Sequence, residues 1–219
     1  MVTHRFPKHL QLTFAVYKGG GTFSIGEIQQ QLDIRKDRYT LKSMKQTVGL
    51  TSLLNNDQLI LTSNGKIGGQ GLQPETFEEE KIINGSKQSQ KTTFDWTTQK
   101  LRFLHGGETT LSRDAQDTLS FMYQLSQLSM DREIIPLSIS DGIYLNKYLI
   151  EIGAEEDIST PIGTLRALHL RKLHTQNEPF FEIWLGIEYR LLPVKFRQVS
   201  RSGEVIEEFV VSDIRASNE

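Results

Sequence analysis

Residues 114–130, Asp-Ala-Gln-Asp-Thr-Leu-Ser-Phe-Met-Tyr-Gln-Leu-Ser-Gln-Leu-Ser-Met, carry the one convincing helical period in this chain. Ala115, Leu119, Met122, Leu125 and Leu128 recur every three or four residues and fall on one side of a helix, while Gln116, Ser120, Gln124 and Gln127 fall on others. Asp114 is placed to cap it, and Asp117 stands in the first turn, where the helix dipole favours a carboxylate. Nearly everything on either side reads as short strands and turns. A lone amphipathic helix needs an apolar surface to lie on, and here only a large curved antiparallel sheet supplies one.

The strands are legible from their period of two. Leu10, Leu12, Phe14 and Val16 alternate with Gln11, Thr13, Ala15 and Tyr17. The glycines of Lys18-Gly19-Gly20-Gly21 form a hairpin loop; a phosphate cradle would need a helix after it, and Thr22-Phe23-Ser24-Ile25 reads as a strand. Residues 28–34 and 38–46 form a pair, with Gly26 marking a bulge. Residues 50–54 are a short apolar turn of helix or strand. Asn64-Gly65 and Asn84-Gly85 are hairpin signals. The run Glu78-Glu79-Glu80 reads as a solvated edge that resists edge-to-edge pairing, and Glu155-Glu156-Asp157 as an acidic turn. Residues 91–96 and 101–105 form another pair, and a long strand over 139–152 is broken at Asp141-Gly142. Residues 164–173 pair with 179–188, where Phe181, Ile183, Leu185 and Ile187 form an apolar row and Trp184 points the other way. Residues 194–199 and 205–214 close the chain. About a dozen strands at this spacing predict an all-β domain over residues 1–219, a large curled antiparallel sheet or incompletely closed barrel with one amphipathic helix packed against it.

Composition narrows the function classes. A net charge of -2 gives no basic footprint for nucleic acid. No apolar run is long enough for a transmembrane helix. With no cysteine there are neither disulfides nor thiolate ligands. The histidines, His105, His169 and His174 among them, lack metal-site spacing, and no cofactor motif is present. Neither serine near a glycine makes a nucleophile elbow. Trp96, beside Phe94, and Trp184, beside Phe180 and Phe181, are either core residues or walls of an apolar cavity. The helix either plugs the curled sheet or, through Phe121 and Tyr123, gates a cavity beneath it; Leu125 completes the set of ligand-binding candidates. Gln116, Asp117 and Ser120 are candidates for a structural clasp, since buried polar groups need partners.

Six phrases, in this order and spacing, resemble a known family. They are Ser63-Asn64-Gly65-Lys66-Ile67, Gly71-Leu72-Gln73-Pro74-Glu75-Thr76-Phe77, Phe94-Asp95-Trp96, Ala115-Gln116-Asp117-Thr118-Leu119-Ser120, Ile183-Trp184-Leu185 and Leu192-Pro193-Val194-Lys195. The chain is similar, over most of its length, to the bacterial domain of unknown function 3108. That resemblance implies a β-rich fold similar to lipoprotein carriers and a periplasmic location in Gram-negative bacteria, and it brings no activity or site residues with it. Met1 to Phe6 lead almost straight into a strand, so the leader was trimmed or the location is cytoplasmic. The expectation is a non-enzymatic envelope protein that binds a lipid or another apolar ligand. The alternatives are a scaffold for an envelope partner and a hydrolase with a dispersed site. Locally, Gly71 allows a sharp turn, Pro74 fixes it, and Pro193 marks a strand start or an edge.

Overall fold

The computed structural model describes residues 6–47 and 57–218; the expectation for residues 50–54 lies outside them. Among these described residues fifteen strands form one sheet: β1 (His9–Lys18), β2 (Gly26–Arg35), β3 (Arg38–Thr47), β4 (Gln58–Gly68), β5 (Gly71–Ile83), β6 (Ser86–Asp95), β7 (Lys100–Phe103), β8 (Glu108–Thr110), β9 (Ala115–Asp117), β10 (Ile134–Ser140), β11 (Leu145–Thr160), β12 (Gly163–Lys172), β13 (Phe180–Gly186), β14 (Leu192–Val199) and β15 (Val205–Ser217). Their order is β8-β7-β6-β5-β4-β3-β2-β1-β15-β14-β13-β12-β11-β10-β9. The chain is thus two long meanders joined where β1 pairs with β15, antiparallel throughout except that β9 runs parallel to β10. The sheet curls until its last strand, β9, packs against β5 of the other arm, and among the described residues no backbone ladder closes the ring.

Alternation decides which face is inside. Leu10, Leu12, Phe14 and Val16 are buried, and the register carries their face across the sheet. Leu10 pairs with Leu32, Leu32 with Leu41, Leu41 with Ser63, Ser63 with Phe77, and Phe77 with Thr92. All six are buried. Against this inner face lie the helix α1 (Ser120–Gln124) and a 3-10 turn, Leu125–Gln127.

The helix predicted over residues 114–130 is therefore much shorter. Its first residues are strand β9, and residues 118–128 form a compact plug instead of an amphipathic rod. Leu119, Phe121, Met122, Tyr123 and Leu125 are buried, and so are Ser120 and Gln124, which helical spacing put on other sides, and Ser126. A segment enclosed on every side is held by packing, and propensity over so few residues counts for little.

Other differences have local causes. Asn64-Gly65 is no hairpin: β4 runs straight through it with a register shift, and the turn falls between Gly68 and Gly71. Asn84-Gly85 does turn the chain, with φ of 50° and 78° and Ile83 paired to Ser86. Residues 22–25 contain no strand, and Gly26 opens β2 without a bulge. Glu78, Glu79 and Glu80 lie inside the sheet between β4 and β6, where Lys91, Lys81 and Lys87 offset them. Glu155, Glu156 and Asp157 continue β11 past a bulge and pair with β12. No described helix is long and apolar enough to cross a membrane.

Candidate functional site

The plug meets the sheet through side-chain hydrogen bonds. Asp117 Oδ1 accepts the N–H groups of Leu119 and Ser120, at 2.9 and 2.7 Å, and so takes the capping role expected of Asp114. Its Oδ2 accepts the hydroxyl of Ser63 on β4 at 2.5 Å, and Ser63 lies 2.9 Å from the Tyr39 hydroxyl on β3. Gln116 Nε2 donates to Leu72 O on β5 at 2.9 Å, while its buried Oε1 has no partner among the described residues. Gln124 accepts from Leu72 N at 2.7 Å and donates to Gln70 O at 2.6 Å. Tyr123 donates to Gln30 Oε1 at 2.7 Å. Gly71, with φ of 103°, makes room for this: a Cβ there would stand 3.0 Å from Gln124 Cδ. The two arms of the sheet are joined by a seam of amides, hydroxyls and one carboxylate.

Burial raises the Asp117 carboxyl above its ordinary range, outweighing the hydrogen bonds from Ser63, Ser120 and Leu119 that pull it down. Burial likewise raises Tyr39, helped by the charge of Asp117, and it raises Tyr123. The folded chain then holds the Asp117 proton to a higher pH than the unfolded chain, whose value is near 3.8. Folding is strongest, as far as this group is concerned, below that value. Stability declines as pH rises from there through the raised value, because unfolding releases the proton. Denaturant titrations between pH 4 and pH 8 are expected to show this decline in the wild type and a flatter profile in Asp117→Asn.

Beside the plug, the inner face of the second meander carries a connected row of aromatic rings. Phe14 on β1 meets Phe209 on β15 edge-on at 6.1 Å. Phe209 stacks on Phe196 of β14 at 4.8 Å, and Phe196 on Phe181 of β13 at 5.7 Å. Phe181 then meets both Phe121 of the plug, at 5.6 Å, and Tyr148 of β11, at 5.9 Å. Register keeps these residues on the buried side, since Val16 pairs with Phe209, Phe209 with Phe196, and Phe196 with the buried Ile183. Phe14 and Phe121 are buried, whereas Phe181, Phe196, Phe209 and Tyr148 are only partly buried. From β15 to β11 the row crosses four strand spacings, about 19 Å. It starts mid-strand at Phe14 and Phe209 and ends near the strand termini at Phe181, beside Lys172, the last residue of β12.

The residues singled out by sequence are dispersed. Phe121 touches the row, Tyr123 and Leu125 are fully buried in the plug, and Gln116, Asp117 and Ser120 line the seam. Trp96 lies beyond the end of β6, stacked on Phe94 and donating to Pro74 O at 2.6 Å. Trp184 faces away from the row. His169 stacks on it at 4.6 Å, Lys195 and Arg197 stand over its ring, and Glu156 accepts its N–H. The same His169 holds Glu182 below the usual carboxylate range.

Phe14, Phe196, Phe209, Tyr148 and Lys172 were not identified from the sequence as a site. Each sits in a recognisable strand, but which rings meet depends on register shifts within the β1–β15 and β13–β14 pairs. The outer face of β2–β5 carries an open groove of about 720 Å³, whose lining includes Gln31, Asp33, Arg35, Arg38, Thr40 and Asn64. It is polar and unsuited to an apolar chain. Among the described residues no cluster of His, Asp or Glu could hold a metal ion.

A model of the family described as "Protein of unknown function (DUF3108)" matches residues 13–210. No curated protein matches the chain. Among solved structures the chain is similar to a beta-barrel-like protein of domain of unknown function DUF1849 from Brucella abortus. That likeness has a TM-score of 0.63 at 8% identity and covers 97% of this chain and 98% of the other, which shows a shared fold. A "putative lipoprotein" from Parabacteroides distasonis matches at a TM-score of 0.40 and 9% identity over 96% and 97% of the two chains, too loosely to define a fold.

Proposed function

Because the chain belongs to the DUF3108 family, whose description names no activity, we propose from its geometry that it is a non-catalytic binder of an apolar chain, lodged along the aromatic row of the curled sheet and covered by the plug. The observation that carries this reading is the row itself. Its rings touch in one strip, and Phe181, Phe196, Phe209 and Tyr148 are partly open, on the inner side of a sheet where Ile183, Leu170 and Ile150 are fully enclosed. A purely structural core would bury such rings, since each gains by full enclosure. The plug supplies a cover held at the seam by polar side chains, and Gln116 Oε1 is left unmatched there, a cost of about 1–3 kcal/mol in the closed state. We place the protein in the cell envelope, as the family resemblance implies.

A dispersed hydrolase finds less support. Ser120 is enclosed and bonded to Asp117, and the hydrogen bonds of the four described histidines go elsewhere, to Asp33, Ser89, Glu182 and Lys172. Attachment to an envelope partner is favoured by one feature, the exposed edge strand β8, although its three residues and Glu108 blunt that edge.

The test is delipidation followed by titration with Nile red and native mass spectrometry. The wild type is expected to bind the dye saturably and to release it to long-chain lipids. Phe196→Ala, which removes two stacking contacts, is expected to weaken dye binding about fivefold to tenfold. Absence of any saturable binding by delipidated wild type would end the proposal.

A further inference from the structure

The aromatic strip is not electrically uniform. At its end near the strand termini stands Lys172, on the inner face because it pairs with Ile150. Its ammonium lies 5.2 Å above the Tyr148 ring and donates to Pro179 O at 2.9 Å. It makes no ion pair among the described residues. Glu178, in the following loop, is held below the usual carboxylate range chiefly by the hydrogen bonds it accepts from Thr175, and the charges of Lys172 and His174 add to this. His174 stacks on Phe180 and contacts Lys172 O. Asp141, whose charge helps raise the Tyr148 phenol, is committed to the N–H groups of Ile143 and Tyr144. By contrast Lys45, on the inner face of β3, is neutralised by Glu207, which it reaches across β2 and β1. One end of the strip thus offers a cation with unused donor capacity, whereas the charges near the other end, Lys45 and Glu207, neutralise each other.

We propose that the ligand of the row is an anionic single-chain amphiphile, its tail along Phe181, Phe196, Phe209 and Phe14 and its headgroup on Lys172. The inference rests on the carrier reading above and names the ligand class for that site. A lysine beside a ring face suits a compact oxyanion, whether carboxylate or phosphate, because the ammonium acts as a point charge with three donors. The ring holds the ammonium in place without neutralising it.

The test compares palmitate, hexadecyl phosphate and uncharged monopalmitoylglycerol as displacers of Nile red from delipidated wild type and from Lys172→Gln. The wild type is expected to prefer both anions over the uncharged ester about tenfold, the size of one charge-assisted hydrogen bond. Lys172→Gln is expected to lose that preference while keeping its affinity for monopalmitoylglycerol and an unchanged melting temperature. A preference for one anion alone assigns the headgroup to carboxylate or phosphate. Equal wild-type affinity for the charged and uncharged probes, or a variant that weakens all three alike, overturns the headgroup assignment and leaves the carrier reading standing. Failure of every probe to bind the wild type overturns both.

Discussion

Gly65→Ala is expected to destabilise the protein by about 3 kcal/mol, lowering the melting temperature by about 10 °C, although the position looks from its sequence like a turn that tolerates change. A Cβ at residue 65 would press into Gln73 O and stand 2.8 Å from Pro74 Cα, both backbone atoms of β5. The neighbour cannot swing aside as a flexible side chain would. Relief requires β4 and β5 to part where Ser63 and Phe77, two fully enclosed residues, are paired. Gly85→Ala is the control: it also follows an asparagine, but a Cβ there meets nothing within 4 Å, so only its φ of 78° is strained, at about 1 kcal/mol. Thermal and urea melts of the two variants should rank them in that order. A Gly65→Ala melt within 2 °C of wild type would refute the close approach of the strands.

Asp117→Ala is expected to cost about 3 kcal/mol and to loosen the plug before the sheet. It strips the acceptor from the Leu119 and Ser120 amides and from the Ser63 hydroxyl at once, all in a buried setting. Ser63 retains Tyr39 as a partner, whereas the two amides have no replacement among their described contacts. Hydrogen exchange is the discriminating measurement. Amides of residues 118–127 should lose protection in the variant, while those of β1, β2 and β15 keep theirs. Uniform loss across the sheet, or none at all, would show that the seam is not an independent unit.

The sheet was legible where strands alternate cleanly: β1 follows from Leu10, Leu12, Phe14 and Val16 spaced two apart, and β13 from Phe181, Ile183 and Leu185. The plug was legible only in part. Leu119, Met122 and Leu125 do recur at helical spacing, yet Gln124 and Ser120 are buried beside them, because the other arm of the sheet supplies partners that no local pattern announces. Asn64-Gly65 misleads for a related reason. The glycine answers to a strand opposite, Gln73 and Pro74, and not to its own backbone angle. The aromatic row depends on register between strands far apart in sequence, with Phe14 and Phe209 separated by nearly the whole chain. Bulges in the β1–β15 and β13–β14 pairs shift that register by amounts the residues do not declare.

The parallel pairing of β9 with β10 has a consequence of its own. Both strands anchor the segment between them, so the plug, once displaced, stays leashed to the site it vacated. On the reading proposed above, a guest enters and leaves only while this cover stands open, and the leash returns the cover with an effective concentration that does not fall on dilution. Weakening the cover's grip, at Asp117 or Gln124, should therefore speed both entry and exit without altering a single atom of the rings the guest would rest on.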